Sequence, residues 1–233
     1  MLRRTFLATG LAPALVGAAG GGTPPLIAAA ARGDPREVRR LLDAGAAVNE
    51  RDGSGRNAAL AATQGRHVEA ALLLISRGAD VNAQDQRRDS VFLLAGAEGL
   101  TPIVRAALSA GADLRSTNRY GGTALIPACH HGHVDTVRLL LGTAIDVDHV
   151  NDLGWTALLE AVILGDGGPR YVEIVGLLIG RRADVNRATA RAPPRCSMRC
   201  SGATRRSRAG CARRAGANRP GRRARAGRPG RRP

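Results

Sequence analysis

Apolar residues recur three and four positions apart along most of the chain. Val38, Leu41 and Leu42 stand at i, i+3 and i+4, which is one face of a helix. The same slots hold Ala71, Leu74 and Ile75; Val104, Ala107 and Leu108; Val137, Leu140 and Leu141; and Val175, Leu178 and Ile179. A shorter Ala/Leu run precedes each of these faces, such as TALIPACHHG from Thr123 to Gly132. A glycine such as Gly78 closes the longer helix by accepting a left-handed backbone. Each stretch therefore reads as a turn, a short helix, a second turn and a longer helix.

The stretches are copies of one another. GAAVN begins at Gly45, GADVN at Gly78, GADLR at Gly111, AIDVD at Ala144 and RADVN at Arg182. The first four are 33 residues apart and the last interval is 38. Gly55 and Gly121 keep the step, as do Asn57 and Thr123, and Gly33, Gly99, Gly132 and Gly165 fall on the same lattice. A unit of this length and make-up resembles the ankyrin repeat: the period, the Thr-Ala-Leu start of the first helix and the Gly-Ala-Asp-Val-Asn ending all coincide. The resemblance covers residues 23–188 in five units, about 23–52, 53–85, 86–118, 119–151 and 152–188. It implies an all-α solenoid of five helix-turn-helix units in which stacking makes the core continuous.

Several positions depart from the family pattern. Its first helix opens Thr-Pro-Leu-His, and the histidine that ties neighbouring turns is missing from that slot in every unit. Arg88 replaces the turn glycine of the third unit, and Ala144 and Arg182 replace the closing glycines of the fourth and fifth. Without a glycine these helix ends lose the easy left-handed cap, at a cost of order 1 kcal/mol each. Five extra residues around Gly165–Pro169 are expected to project as a loop between the helices of the fifth unit.

The family binds other proteins on its concave surface, so the resemblance implies a protein partner. Carried over position by position, the contacts fall at turn tips and at the exposed ends of the short helices. The tips are Ser54 and Arg56, Gln86 and Arg87, Arg119 and Tyr120, Leu153 and Trp155; the helix positions are Gln64, Glu98, His130 and His131. Tyr120 and Trp155 stand out because aromatic and Arg side chains dominate binding hot spots. Trp155 has an equal claim to packing against its neighbouring turn. No nucleophile–base pair, phosphate loop or paired carboxylates recur, so a non-enzymatic binding module without cofactor or small-molecule substrate is expected, as a monomer. CHHGH, Cys129 to His133, has poor spacing for tetrahedral zinc. The lattice gives Cys129 a small core slot and His130 and His131 exposed ones, so no metal site is expected.

Composition changes the picture at the two ends only. The net charge is +16 over 233 residues, and every basic residue is Arg. From Thr189 to Pro233 there are 15 Arg and no acid, so nearly all the excess charge lies there, with Cys196, Cys200 and Cys211. Three readings of this segment stay open. It is a disordered basic arm for nucleic acid or an anionic surface, acting by counterion release and, lacking aromatics, without sequence reading. It is a weak metal-binding cysteine set. Or it is a sixth repeat in the wrong frame: a one-base shift at Ala188/Thr189 with suitable wobble bases spells DRAGATPLQHALQRGY, in register with the repeat. At the other end, residues 1–20 have a basic start, an apolar run from Phe6 to Ala19 and small residues, the layout of an export signal too short to span a membrane. Arg3 and Arg4 before Phe6 and Leu7 resemble a bacterial twin-arginine signal, with an ordinary secretory signal as the alternative. The expected location is periplasmic or extracellular, with no membrane span in the mature chain.

Overall fold

The computed structural model describes residues 23–187. The expected export signal, including Arg3, Arg4, Phe6 and Leu7, and the segment 189–233 lie outside them. The described residues form five helix pairs and no strand. The pairs are α1 (Pro25–Arg32) and α2 (Pro35–Asp43), α3 (Ala58–Gln64) and α4 (Val68–Ser76), α5 (Val91–Ala97) and α6 (Thr101–Ser109), α7 (Leu125–His130) and α8 (Val134–Leu141), and α9 (Ala157–Leu164) and α10 (Pro169–Gly180). Each short helix packs on the next short helix and each long helix on the next long one, which makes two layers one helix thick. The fold is thus the all-α solenoid of five helix-turn-helix units.

The core runs between the layers. Val38, Leu74, Val104, Val137 and Leu178 are buried on the inner faces of the long helices. Alanine is the commonest residue in the remaining core, which lets helices approach closely, so a chain with 2% aromatic residues still packs. Side-chain caps set several helix starts. Asp34 accepts from the Arg36 and Glu37 amides, while Asn57, Ser90 and Thr156 accept from Leu60, Leu93 and Leu159 at 2.8, 3.3 and 3.2 Å.

Three units hold the next one through a forward-reaching side chain. The Asn49 carboxamide donates to Gly78 O and accepts from the Asp80 amide, and Asn82 does the same to Gly111 and Asp113. Asp148 repeats half of this by accepting from the Asp184 amide at 2.8 Å. Histidines outside the expected slot add further ties. His67 Nε2 meets Ala31 O of the preceding unit at 3.1 Å, and within the fourth unit His149 Nε2 meets Gly121 O at 2.7 Å. Side chains at Gly33 and Gly99 would overlap the rings of His67 and His133, so glycine there admits the following unit's ring.

The missing glycines are resolved in two ways. Gly45, Gly78 and Gly111 have φ of 89°, 86° and 84°. Arg182 adopts φ 61° in the same role despite its side chain. Around Ala144 no left-handed residue forms. Instead the Thr143 hydroxyl donates to Leu140 O at 2.6 Å and accepts from the Ile145 amide at 3.3 Å, replacing the direct bond that Ala79 N makes to Leu74 O. Arg88 has φ 60° where Gly55, Gly121 and Gly154 have 83°, 70° and 80°, and Arg66 has φ 59° in a slot that Gly33 and Gly99 fill at 69°. Arg88→Gly is expected to raise the unfolding midpoint by about 2 °C: relief of ~1–2 kcal/mol of left-handed strain outweighs the ~0.5–1 kcal/mol of chain entropy glycine loses. A lower midpoint by thermal circular dichroism would show that the Arg88 bond to Thr117 Oγ1, at 3.3 Å, matters more than the strain.

The insertion in the fifth unit is not the projecting loop expected. Gly165–Gly168 forms the bend, but α10 begins at Pro169, three residues ahead of the position equivalent to the start of α8. The added turn carries Tyr171, which is buried and donates from its hydroxyl to His130 O at 2.8 Å. Tyr171 lies 38 residues after His133 and, together with Arg170, packs over Gly132 where His133 alone packs over Gly99. The extra residues therefore lengthen a helix and keep the ring-over-glycine tie. Gly165, placed on the glycine lattice by spacing, is accordingly in an extended conformation with φ −66°.

Candidate functional site

Four turns project along one side of the array, headed by Asp52, Asp85, Asn118 and Asn151. In each, the heading residue exchanges two backbone bonds around a tight turn, and its side-chain oxygen accepts from the amides two and four residues on. An Asp or Asn at this position fixes the turn from within. Neighbouring tips are joined by the Gln86 amide to Ser54 O at 3.0 Å and the Asp152 amide to Tyr120 O at 2.9 Å. The tips thus stand side by side on a rigid base, and equivalent positions form rows across units two to five.

The outermost row is Ser54, Arg87, Tyr120 and Leu153. Arg87 is exposed, with its nearest carboxylate, Asp89, at 3.7 Å. Tyr120 and Leu153 are 51% and 56% exposed, unusual for side chains of that size. Arg119 lies over the Tyr120 ring at 4.8 Å and is itself exposed. Together these residues make a patch that is apolar toward the fifth unit and basic toward the third. Gln86 is exposed beside it and is held by a bond to Gly53 O. Trp155 is half-buried, and its backbone closes the fifth unit's turn through Asn151.

Other candidate residues are occupied within the array. The Arg56 guanidinium grips Asp52 through two nitrogens at 2.9 and 2.8 Å and reaches Gln64 Oε1 at 3.0 Å. Gln64 in turn leans toward Asp85 at 3.5 Å. Arg56 and Gln64 are thus part of the bracing of the second unit's turn and present only partial surface. Glu98 pairs with Arg66 at 2.9 Å across units. His130, placed on an exposed slot by the lattice, is half-buried instead, and its Nδ1 meets Glu160 at 2.8 Å over the buried base of the fifth unit's turn. His131 remains exposed beside it, its ring edge-on at 4.5 Å. The Arg66–Glu98 and His130–Glu160 ties join residues 32 and 30 apart, so spacing alone could not reveal them.

Electrostatics follow from this bracing. Burial pushes the Asp52 carboxyl up, but the Ser54 hydroxyl, the Arg56 guanidinium and two backbone amides outweigh it and hold the pKa at about 2, from an ordinary 3.8. A carboxyl depressed in the folded state stabilises fully above its ordinary pKa and loses that contribution as pH falls toward 2. Asp52→Asn is therefore expected to melt lower at neutral pH, by roughly 1–3 kcal/mol for the lost charged bonds, and to show a shallower loss of stability between about pH 4 and pH 2. Parallel acid unfolding curves for the two proteins would overturn this. Asp89 goes the other way: burial and the Asp85 carboxylate raise it, against the pull of Arg87 and Arg119. Burial, then the neighbouring His130 and His133, lowers His131; burial lowers His133 against a bond to the Ala97 carbonyl. Burial, then Glu160, pushes the Cys129 thiol far up, which makes it an unreactive core residue. Among the described residues no group of three or more His, Cys, Asp or Glu is placed to hold a metal ion.

Rigid turn tips on stacked helix pairs, with an exposed mixed patch and no convergent catalytic set among the described residues, define a class: a repeat solenoid that presents a side-chain surface. The family described as ankyrin repeats (3 copies) matches residues 8–85 and 92–189, and the chain belongs to it. An ankyrin repeat domain from Acinetobacter baumannii AYE is 50% identical, covering 71% of this chain and 85% of that one, with a TM-score of 0.69. The ankyrin repeat protein EF0377, from Enterococcus, is 44% identical over 69% of this chain and 82% of that one, with a TM-score of 0.65. Both neighbours suggest a bacterial origin. No curated protein matches the chain. Ankyrin repeat domains are typically protein–protein interaction modules and generally non-catalytic.

Proposed function

We propose that this protein captures a protein partner on the turn-tip side of units three to five, without catalysing a reaction. The observation that carries the reading is the adjacent pair Tyr120 and Leu153, both exposed on tips joined by a backbone bond, with Arg87 and Arg119 beside them. Such a patch fits a segment that offers an apolar side chain next to an acidic one. The described residues hold 18 Arg against 19 Asp and Glu, so the array is close to neutral and has no general attraction for nucleic acid. An arginine-arm reading would rest wholly on 189–233, outside the described residues. No helix among the described residues is long and apolar enough to cross a membrane. Export to the periplasm or beyond, and function as a monomer, complete the proposal; export rests on the first twenty residues alone.

The test is a photo-crosslinking amino acid at Tyr120, compared with one at Arg105 on α6, in the native host's envelope fraction. A single crosslinked species from position 120 and none from position 105 supports the reading. Equal labelling from both positions would reject the turn-tip surface.

A further inference from the structure

The fifth unit is unlike the other four in what it leaves uncovered. Of the seven exposed large apolar residues among the described ones, six belong to it: Leu153, Val162, Ile163, Val172, Ile179 and Val185. Three hold positions that earlier units cover. Val162 is 60% exposed, whereas Ala30, Thr63 and Cys129 at the same position are at 0%. Ile179 is 51% exposed, against 8% and 4% for Ile75 and Leu141, with Leu42 and Leu108 half-buried. Val185 is 63% exposed, against 2% for Val81, with Val48, Leu114 and Val147 half-buried. Units one to four each have a following unit packed on them; the fifth has none among the described residues. The face is a stacking interface repeated once more, so the body that fits it is another unit of the same kind.

We propose that this face seats a sixth helix-turn-helix unit, and that the gene encodes that unit in the shifted frame beginning at codon 188. The structure supplies three requirements for a following unit. Its turn-heading Asp or Asn comes three residues after the Asn49, Asn82, Arg115 and Asp148 positions, as Asp52, Asp85, Asn118 and Asn151 do. Three residues further on the backbone is left-handed, as at Gly55, Gly121 and Gly154. Five residues after the heading residue comes the position where Asn57, Ser90 and Thr156 cap the short helix. With suitable wobble bases the shifted phrase DRAGATPLQHALQRGY places its Asp three after Asn186, its first Gly three after that Asp and its Thr five after it. Asn186 itself stands where Asn49 and Asn82 reach forward to hold the next unit. As printed, residues 189–233 contain no Val, Leu, Ile, Phe, Tyr or Trp, so that segment lacks the side chains the face would receive. The shifted phrase supplies leucines after its Thr-Pro.

The test compares the full 233-residue chain with the same gene carrying one inserted base at codon 188, each with and without Val162→Asp. In the printed chain Val162→Asp is a surface change, expected to move the unfolding midpoint by less than about 2 °C. The reframed chain is expected to melt at least about 5 °C higher, and Val162→Asp to abolish that gain because the valine is then buried. Equal midpoints for the two frames, or equal tolerance of Val162→Asp in both, overturn the proposal. A printed chain that light scattering shows to be a dimer, made monomeric by Val162→Asp, would assign the face to a second copy and overturn it too. A variant ending at Arg187 checks the printed segment. A midpoint like that of the full chain supports the proposal, and one several degrees lower would mean that 189–233 already covers the face.

Discussion

Phe92→Ala is expected to destabilise the array by about 3–5 kcal/mol, which corresponds to a fall in the unfolding midpoint of roughly 8–15 °C. Phe92 is fully buried on α5 and is the largest such side chain in the described residues. Its slot holds Leu26, Ala59, Leu125 and Leu158 in the other units, so the third unit contributes far more volume there than the second. Truncation would leave a cavity in the middle of a core otherwise rich in alanine, where neighbours have little side chain to lean inward. It also touches two interfaces at once, because α5 packs on both α3 and α7. In an array whose stability is a sum of unit and interface contributions, a central defect weakens the coupling between its halves. Thermal circular dichroism should show a lower and broader transition, and Phe92→Leu should recover most of the loss. A fall of less than about 3 °C would show that the helices close over the gap.

The second large effect concerns binding. With the crosslinked partner in hand, Tyr120→Ala combined with Leu153→Ala is expected to weaken its affinity by about 30- to 1,000-fold, the 2–4 kcal/mol typical of central anchors. Both side chains are exposed, so the unfolding midpoint should stay within about 2 °C of the unmodified protein. Arg87→Ala should cost less and act mainly on the association rate, with a salt dependence, since it lies at the charged edge of the patch. Trp155→Ala is a poorer probe because the ring is half-buried and its loss mixes packing with contact. Unchanged affinity in the double variant, measured by calorimetry with the purified partner, would move the site away from the tips of units four and five.

Most of the architecture is written in local periodicity. The i, i+3, i+4 faces and the repeat step place all ten helices of the described residues, since each unit repeats a short-range pattern and touches only its neighbours. The candidate surface is less legible. Tyr120 and Leu153 emerge on exposed tips, where turn register alone decides the outcome. Arg56 and Gln64 lie at equally plausible register positions, yet Asp52 draws the guanidinium inward and Gln64 with it. His130 is taken up by Glu160, thirty residues on. Such pairings depend on the identity of one partner in the next unit, which a repeat lattice leaves free. Tyr171 shows the same limit: spacing marks an insertion, but only the ring's contact with the Gly132 turn shows that it continues the role of His133. Thr143 is a further case, because a hydroxyl relay in place of a left-handed residue has no signature at the level of period or composition.

The forward reach of Asn49, Asn82 and Asp148 gives these contacts a direction along the chain. Units one, two and four carry polar groups that receive the backbone of the next, and none of these three reaches back to the unit before it. A ribosome delivers the units in the same order, at roughly 5–20 residues per second, so one 33-residue unit emerges every few seconds. Each arrival then meets a receptive surface already in place on its predecessor. Synthesis and stacking run along the same line, and a growing chain has at most one uncovered face at its leading edge.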